Sequence, residues 1–376
     1  MSSRLRTLAP LMFAVNAVAA QSSVAPVPAK VLLRIDAESE NLSAISTLAV
    51  SPSGILAVYL RQDGVIRLFS PAGKALATAG RKGEGPGEFR GLDGFGWVSD
   101  TLWASDPWLK RLTRYLPDGK LLRALPLPQD FEQASDGGIP VRYASSILQS
   151  VFPDGSLLFQ ASLIKPYRSE AAIDNMSDAR YAVRVAPDGK VRFVVASDPV
   201  NPCMIAEGME SVILPGTFCP LTLRAASTGG SRRVSAIQTI GTDGTGSVKV
   251  VAVDERGGMV WARTFKRQLA AVPAAVRDRI LGEQSSALRG RVAALMQYYP
   301  PAHDIGVGAN GSTWIGLYAP KGALREWQRL DATGKQLPSV WLPASAKGLA
   351  IDRRGAWAIT ETEDGAQSIT LFEARP

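Results

Sequence analysis

Short runs in which apolar and polar residues alternate recur along the chain, in pairs around tight turn sequences. The clearest pair brackets Pro117-Asp-Gly-Lys120, with Arg111-Leu-Thr-Arg-Tyr-Leu116 before it and Leu121-Leu-Arg-Ala-Leu-Pro126 after it. Period-2 alternation predicts strands with one face buried. Pro presets φ, and Asp and Gly accept the dihedrals of a turn, so the unit predicts a β-hairpin. It recurs around Pro71-Ala-Gly-Lys74, Pro187-Asp-Gly-Lys190, Glu255-Arg-Gly-Gly258 and Ala332-Thr-Gly-Lys335. One hairpin in five copies predicts a repeat architecture.

Further alternating runs lie between the hairpins, and sets of four read as antiparallel sheets. They fall at 44–50, 55–60, 65–69 and 75–79; at 92–98, 101–105, 111–116 and 121–127; at 146–152, 156–161, 180–185 and 191–196; at 220–225, 234–239, 248–253 and 259–265; and at 304–308, 313–317, 326–330 and 336–342. A sixth set, 348–351, 356–360 and 368–373, is one strand short, while Lys30-Val-Leu-Leu-Arg-Ile-Asp36 is a strand without a partner. Pairing the two ends closes the ring and removes the open edge of the array. The expected fold is all-β: a six-bladed β-propeller over residues 30–376, closed by its N-terminal strand.

The hairpin glycines Gly73, Gly119, Gly189, Gly257 and Gly334 are 46, 70, 68 and 77 residues apart. A blade needs about 40–50 residues, so chain has been inserted at 162–179, 198–219 and 266–303. In an up-and-down blade the connections from second to third strand and from blade to blade emerge on one side of the disc, which makes that side the expected working face. The insertion at about 268–297 reads as two helices. Pro273 suits a first turn, Val276 and Ile280 lie one turn apart, and Leu288, Val292, Leu295 and Met296 form an apolar stripe on a second helix from about 285 to 297. Those helices are expected to cap the propeller's own face, with a membrane surface as the other partner for the stripe.

The N-terminus changes the picture of compartment. Arg4 and Arg6 precede an apolar run from Leu8 to Ala20 that ends in Ala17-Val-Ala19, the pattern of a secretory signal peptide over residues 1–19. The run is shorter than the roughly 20 apolar residues of a membrane span, and an exported, periplasmic or extracellular monomer is expected. The formal charge of +8 becomes +6 once those two arginines are removed. No basic block of the kind that binds nucleic acid is present. Outside the cytosol Cys203 and Cys219 are expected to form a disulfide.

At Gly80-Arg-Lys-Gly-Glu-Gly-Pro-Gly-Glu-Phe89, followed by Thr101-Leu-Trp-Ala-Ser-Asp106 and Lys110-Arg111, the chain resembles exported bacterial six-bladed β-propeller proteins related to NHL-repeat propellers. The resemblance covers about 42–127 and about 303 to the end, and is weak between 162 and 301. It implies that the Gly-rich segment leads into the second blade and that Asp106 and Arg111 brace a blade edge. A phosphate cradle is excluded because the segment opens no helix.

Six-bladed relatives include enzymes with calcium or zinc in the channel, so a channel-sited hydrolase or lactonase-like enzyme is the alternative to a binding module. One histidine, His303, cannot supply a histidine zinc site. Calcium needs oxygen ligands, and Asn41, before blade one, and Asn310, in an Asn-Gly turn on the opposite face, cannot share a site. A serine hydrolase would need His303 as base, yet Asp304 beside it points to the other face and no nucleophile elbow is present. No cofactor is therefore expected.

The binding reading rests on residue types placed on the working face: Arg61 with Asp63, Trp108 with Lys110, Arg142 with Tyr143, Tyr167 with Arg168, and Tyr318 with Lys321. Aromatic and arginine side chains offer stacking area and fixed donors, which suits a glycan, peptide or protein ligand.

Overall fold

The structure, a computed structural model, describes residues 28–133, 141–164, 179–199, 203–207, 210–318 and 324–374. The signal sequence, Tyr167, Arg168 and Lys321 lie outside them.

The sheets form the six blades expected from the hairpin repeat, numbered here in chain order with strands a to d from the channel outward. Blade one is Ile45–Val50, Leu56–Leu60, Val65–Phe69 and Ala75–Ala79. Blade two is Gly94–Val98, Thr101–Asp106, Arg111–Tyr115 and Leu121–Pro126. In blade six Val31–Asp36 supplies strand d, antiparallel to Gln367–Glu373 with Ile35 opposite Ile369. Blade four, Leu223–Ala226, Arg232–Ile240, Thr245–Asp254 and Met259–Gln268, follows the expected runs. Blade five is Ala302–Val307, Thr313–Leu317, Leu324–Leu330 and Gln336–Pro343.

The repeat works because its turns demand glycine. At Gly119 φ is +80° and a Cβ would sit 2.6 Å from the Thr78 carbonyl of blade one, so a side chain is excluded twice over. Gly54 packs on Pro71, Gly155 on Pro187 and Gly311 on Ala332. The a–b and c–d turns therefore share one face, the tight-turn face. The other face carries the insertions: the b–c turn of blade four meets the long one where Leu269 N donates to Gly244 O at 2.8 Å.

Blade three departs from the expectation. Its a, b, c and d strands are Val141–Val151, Leu157–Ile164, Ala179–Val185 and Val191–Pro199, and a fifth strand, Asp130–Gln133, pairs with 141–144 on the edge that strand b leaves free. Arg142 and Tyr143 thus belong to a strand and not a loop. The extra strand anchors itself through Phe131, whose ring lies 5.2 Å from Phe159 and 6.2 Å from Tyr143.

The two expected helices are present, α1 (Ala274–Gly282) and α2 (Ser286–Leu295), with Ser285 capping the second from its side chain. Their stripe is covered by the chain itself. Leu288, Val292 and Met296 are buried with Val272, Tyr299, Ile205, Leu214 and Phe218 around the Cys203–Cys219 disulfide, whose Cα atoms lie 5.7 Å apart. The insertions before blades four and five therefore form one small cap with its own apolar core. No helix among the described residues is long and apolar enough to cross a membrane.

Candidate functional site

On the loop-rich face the connection from blade one to blade two is built as a rigid platform. The Arg111 guanidinium donates to the carbonyls of Glu84, Gly85 and Glu88 at 3.2, 2.9 and 2.7 Å, and Tyr115 Oη to Gly87 O at 3.0 Å. Phe89 packs edge-on against Tyr115, and a Cβ at Gly80 would lie 2.1 Å from a Phe89 ring carbon. The Glu88 carboxylate accepts from Gly85 N at 2.7 Å and Arg81 Nε at 2.6 Å, bonds that hold it below the usual carboxylate range.

Asp106, buried at the end of strand b, ties this segment to the next turn. Its Oδ2 accepts from Arg90 N and Gly91 N at 2.7 and 3.2 Å, and its Oδ1 from Leu109 N at 3.0 Å. The turn closes on Lys110 at φ +50°, a conformation that costs a non-glycine residue about 1 kcal/mol. The result is a fixed pedestal for Trp108, which is 72% exposed beside Gly91. Asp93, at the foot of strand a, is pushed up to about 6 by burial, with Asp106 adding to the rise.

Among the described residues, three cations on this face stand outside ion pairs. Asp63 accepts from Ser43 Oγ at 2.5 Å and keeps its charge, Glu84 lies 3.6 Å from Arg90, and Glu88 is paired with Arg81. Exposed Arg61, Lys82 and Lys110 have no carboxylate partner among the described residues. The b–c turn of blade one, which carries Arg61, packs on Lys82 at Gly64. The bracing roles of Asp106 and Arg111 were expected, but Lys82 and the carbonyl-bound platform were passed over because a Gly-rich run reads as a turn. The signal was the spacing of Arg111 and Tyr115, four residues apart and so on one face of a strand next to that run.

The remaining sequence candidates lie elsewhere. Tyr143 is 4% exposed, edge-on to Tyr181 in the core of blade three, so it is not offered to a ligand. Arg142 is paired with Asp130 across the extra strand. Tyr318 stacks on Tyr299 at 4.4 Å with the Arg325 guanidinium 5.4 Å from its ring, and packs against the core of the cap.

His303 bears on the hydrolase alternative. It sits at a bulge in strand a of blade five, its ring over Gly316 and edge-on to Trp327 at 5.3 Å, and its Nε2 has no hydrogen-bond partner among the described residues. Burial, helped by Arg325, pushes it down to about 4, which is too weak a base to activate a serine at neutral pH. Between its ordinary value and about 4 the unfolded chain binds the proton and the folded one does not, so this group removes stability as pH falls through that window. Asp93 acts oppositely there, because its raised value lets the folded state hold the proton. The expected result is that the difference in thermal midpoint between wild type and His303→Gln narrows from pH 7 to pH 4. A difference independent of pH would show that the imidazole titrates normally.

The fold and the platform define a six-bladed β-propeller closed by its N-terminal strand. Its likeness to solved structures is one of fold. A protein from Bacteroides fragilis NCTC 9343 whose name describes it as exported matches at 11% identity and a TM-score of 0.52, over 92% of this chain and 95% of that one. A DUF4221 family member from Bacteroides vulgatus matches at 10% identity and 0.47, over 92% and 97%. Virginiamycin B lyase from Staphylococcus aureus matches at 13% and 0.40, over 90% and 97%. No protein-family model and no curated protein matches the sequence.

Proposed function

We propose that this is an exported, non-catalytic binding module. On this reading its loop-rich face, between blades one and two, holds an extended acidic glycan by stacking on Trp108 and by salt-dependent contact with Arg61, Lys82 and Lys110. The observation that carries the proposal is Trp108 itself: 72% exposed, yet standing on a turn whose backbone is clamped by the buried Asp106 carboxylate. An exposed indole on a rigid pedestal offers contact area at little further entropy cost, and Lys110 two residues on, with Arg61 and Lys82 on the same face and outside ion pairs among the described residues, favours a negatively charged partner. Export is supported by the Arg4, Arg6 and Leu8–Ala20 pattern.

The test is binding of the chain from Ala20 onward to immobilised polyuronates, sulfated glycans, neutral glycans and acidic peptides at low and high salt. Trp108→Ala is expected to weaken binding to the acidic glycans by about 30-fold, the size of a hot-spot loss. Lys110→Ala is expected to reduce the salt dependence. Preference for acidic peptides would replace the glycan by a protein partner, and undiminished glycan binding by Trp108→Ala would refute the site.

A further inference from the structure

The tight-turn face carries a second feature, independent of the Trp108 surface. Where the a–b turns of blades one, five and six meet, a cavity of about 350 Å³ opens, with Pro71 of a c–d turn at its side. Its wall is apolar where Val50, Pro52, Pro71 and Ile351 line it.

The polar groups lining it can be accounted for one at a time. Asp352 is saturated: its Oδ1 accepts from Arg354 N and Gly355 N at 2.7 and 3.1 Å, and its Oδ2 from Arg354 Nε and Nη2 at 3.0 and 2.7 Å and from Trp357 Nε1 at 3.3 Å. Arg354 spends its remaining arm on Pro71 O at 2.6 Å. Ser53 Oγ donates to Asp100 at 2.7 Å and contacts Ser51 Oγ at 2.8 Å, so those hydroxyls are engaged with each other and with a solvent-exposed carboxylate. Asn310 Oδ1 accepts from Ser312 N at 3.0 Å, which orients its Nδ2 as the free end of the amide. Arg353 is exposed and makes no ion pair or side-chain hydrogen bond among the described residues. Among the lining side chains the capacity left over is thus all donor: one guanidinium and one amide NH2, beside an apolar wall. A ligand that satisfies it must bring acceptor oxygens with a negative charge and a short apolar body.

We propose that this cavity is a binding site for a carboxylate attached to a small apolar group, held by Arg353 and Asn310 Nδ2. Two sources share that chemistry, a free short-chain acid and the C-terminus of a peptide.

The site is tested by calorimetric titration with hexanoate, with hexanamide, and with one apolar tetrapeptide carrying either a free or an amidated C-terminus. At least one acid is expected to bind while both amides fail. Hexanoate alone identifies a free acid as ligand, the free peptide alone identifies a chain terminus, and both together show that the site reads only the carboxylate. Arg353→Gln is expected to weaken binding by about tenfold or more. Asn310→Asp keeps the oxygen that accepts from Ser312 N while replacing the donor by a like charge, and is expected to do the same. Trp108→Ala should change nothing, which separates this site from the other face. The proposal is overturned if neither acid binds, if the amides bind as well as the acids, or if binding survives Arg353→Gln unchanged.

Discussion

Replacing Asp198 with alanine is expected to lower the stability of the propeller by about 3–5 kcal/mol, the cost of leaving a buried cation without its partner. Asp198 ends strand d of blade three and is 4% exposed. Its Oδ2 accepts from Arg233 Nη2 and from Arg224 Nε at 2.9 Å, both from blade four, while Arg233 also reaches Gln149 and Ser235. The network bolts the blade with the extra strand to the blade with the shortest innermost strand. Burial alone would push the Asp198 carboxyl up, but Arg233 and then Arg224 outweigh it and hold it below the usual range. A carboxyl depressed in the folded state contributes stability above its unfolded value, and that contribution is lost as pH falls through the folded value. Chemical denaturation of Asp198→Ala should therefore show the full deficit at pH 7 and a smaller one in acid. A loss under about 1 kcal/mol at pH 7 would mean that the two blades are held by apolar packing alone.

The second large effect is expected at the cap. Cys203→Ser with Cys219→Ser removes a bond closing a loop of 16 residues, worth about 3 kcal/mol by restriction of the unfolded chain. The loss should be local, because the cap core of Leu288, Val292, Met296 and Phe218 is separate from the blade cores. Hydrogen exchange should speed up together in 210–221 and 270–299 while blade one keeps its protection. Uniform acceleration through all six blades would show that the cap and propeller unfold as one unit.

How much of this was legible in the sequence follows from the range of the interactions involved. The hairpins were readable because their turns are set by four consecutive residues with a glycine at positive φ. The helices were readable because Leu288, Val292 and Met296 repeat at helical spacing. Closure was readable because the last blade lacked a strand and the N-terminus had one spare.

The extra strand of blade three was not, since Asp130-Phe-Glu-Gln133 carries one apolar residue and owes its place to Phe159, 28 positions away in the chain. The same contact buried Tyr143, which local polarity had placed on the surface. Asp198 and Arg233 are 35 residues apart, and nothing near either announces the other. On the loop-rich face Trp108 and Lys110 could be named from residue type. That the turn beneath them is rigid depends on Asp106 reaching back 16 residues to Arg90 N.

The central claim, that ligand is held on the platform between blades one and two, is tested most directly by hydrogen exchange of the wild-type chain with and without a saturating acidic glycan. The account predicts slowed exchange in 61–65 and 82–111, with the tight turns of the opposite face unchanged. Protection confined to the opposite face, or to the cap, with 82–111 unaffected, would contradict it.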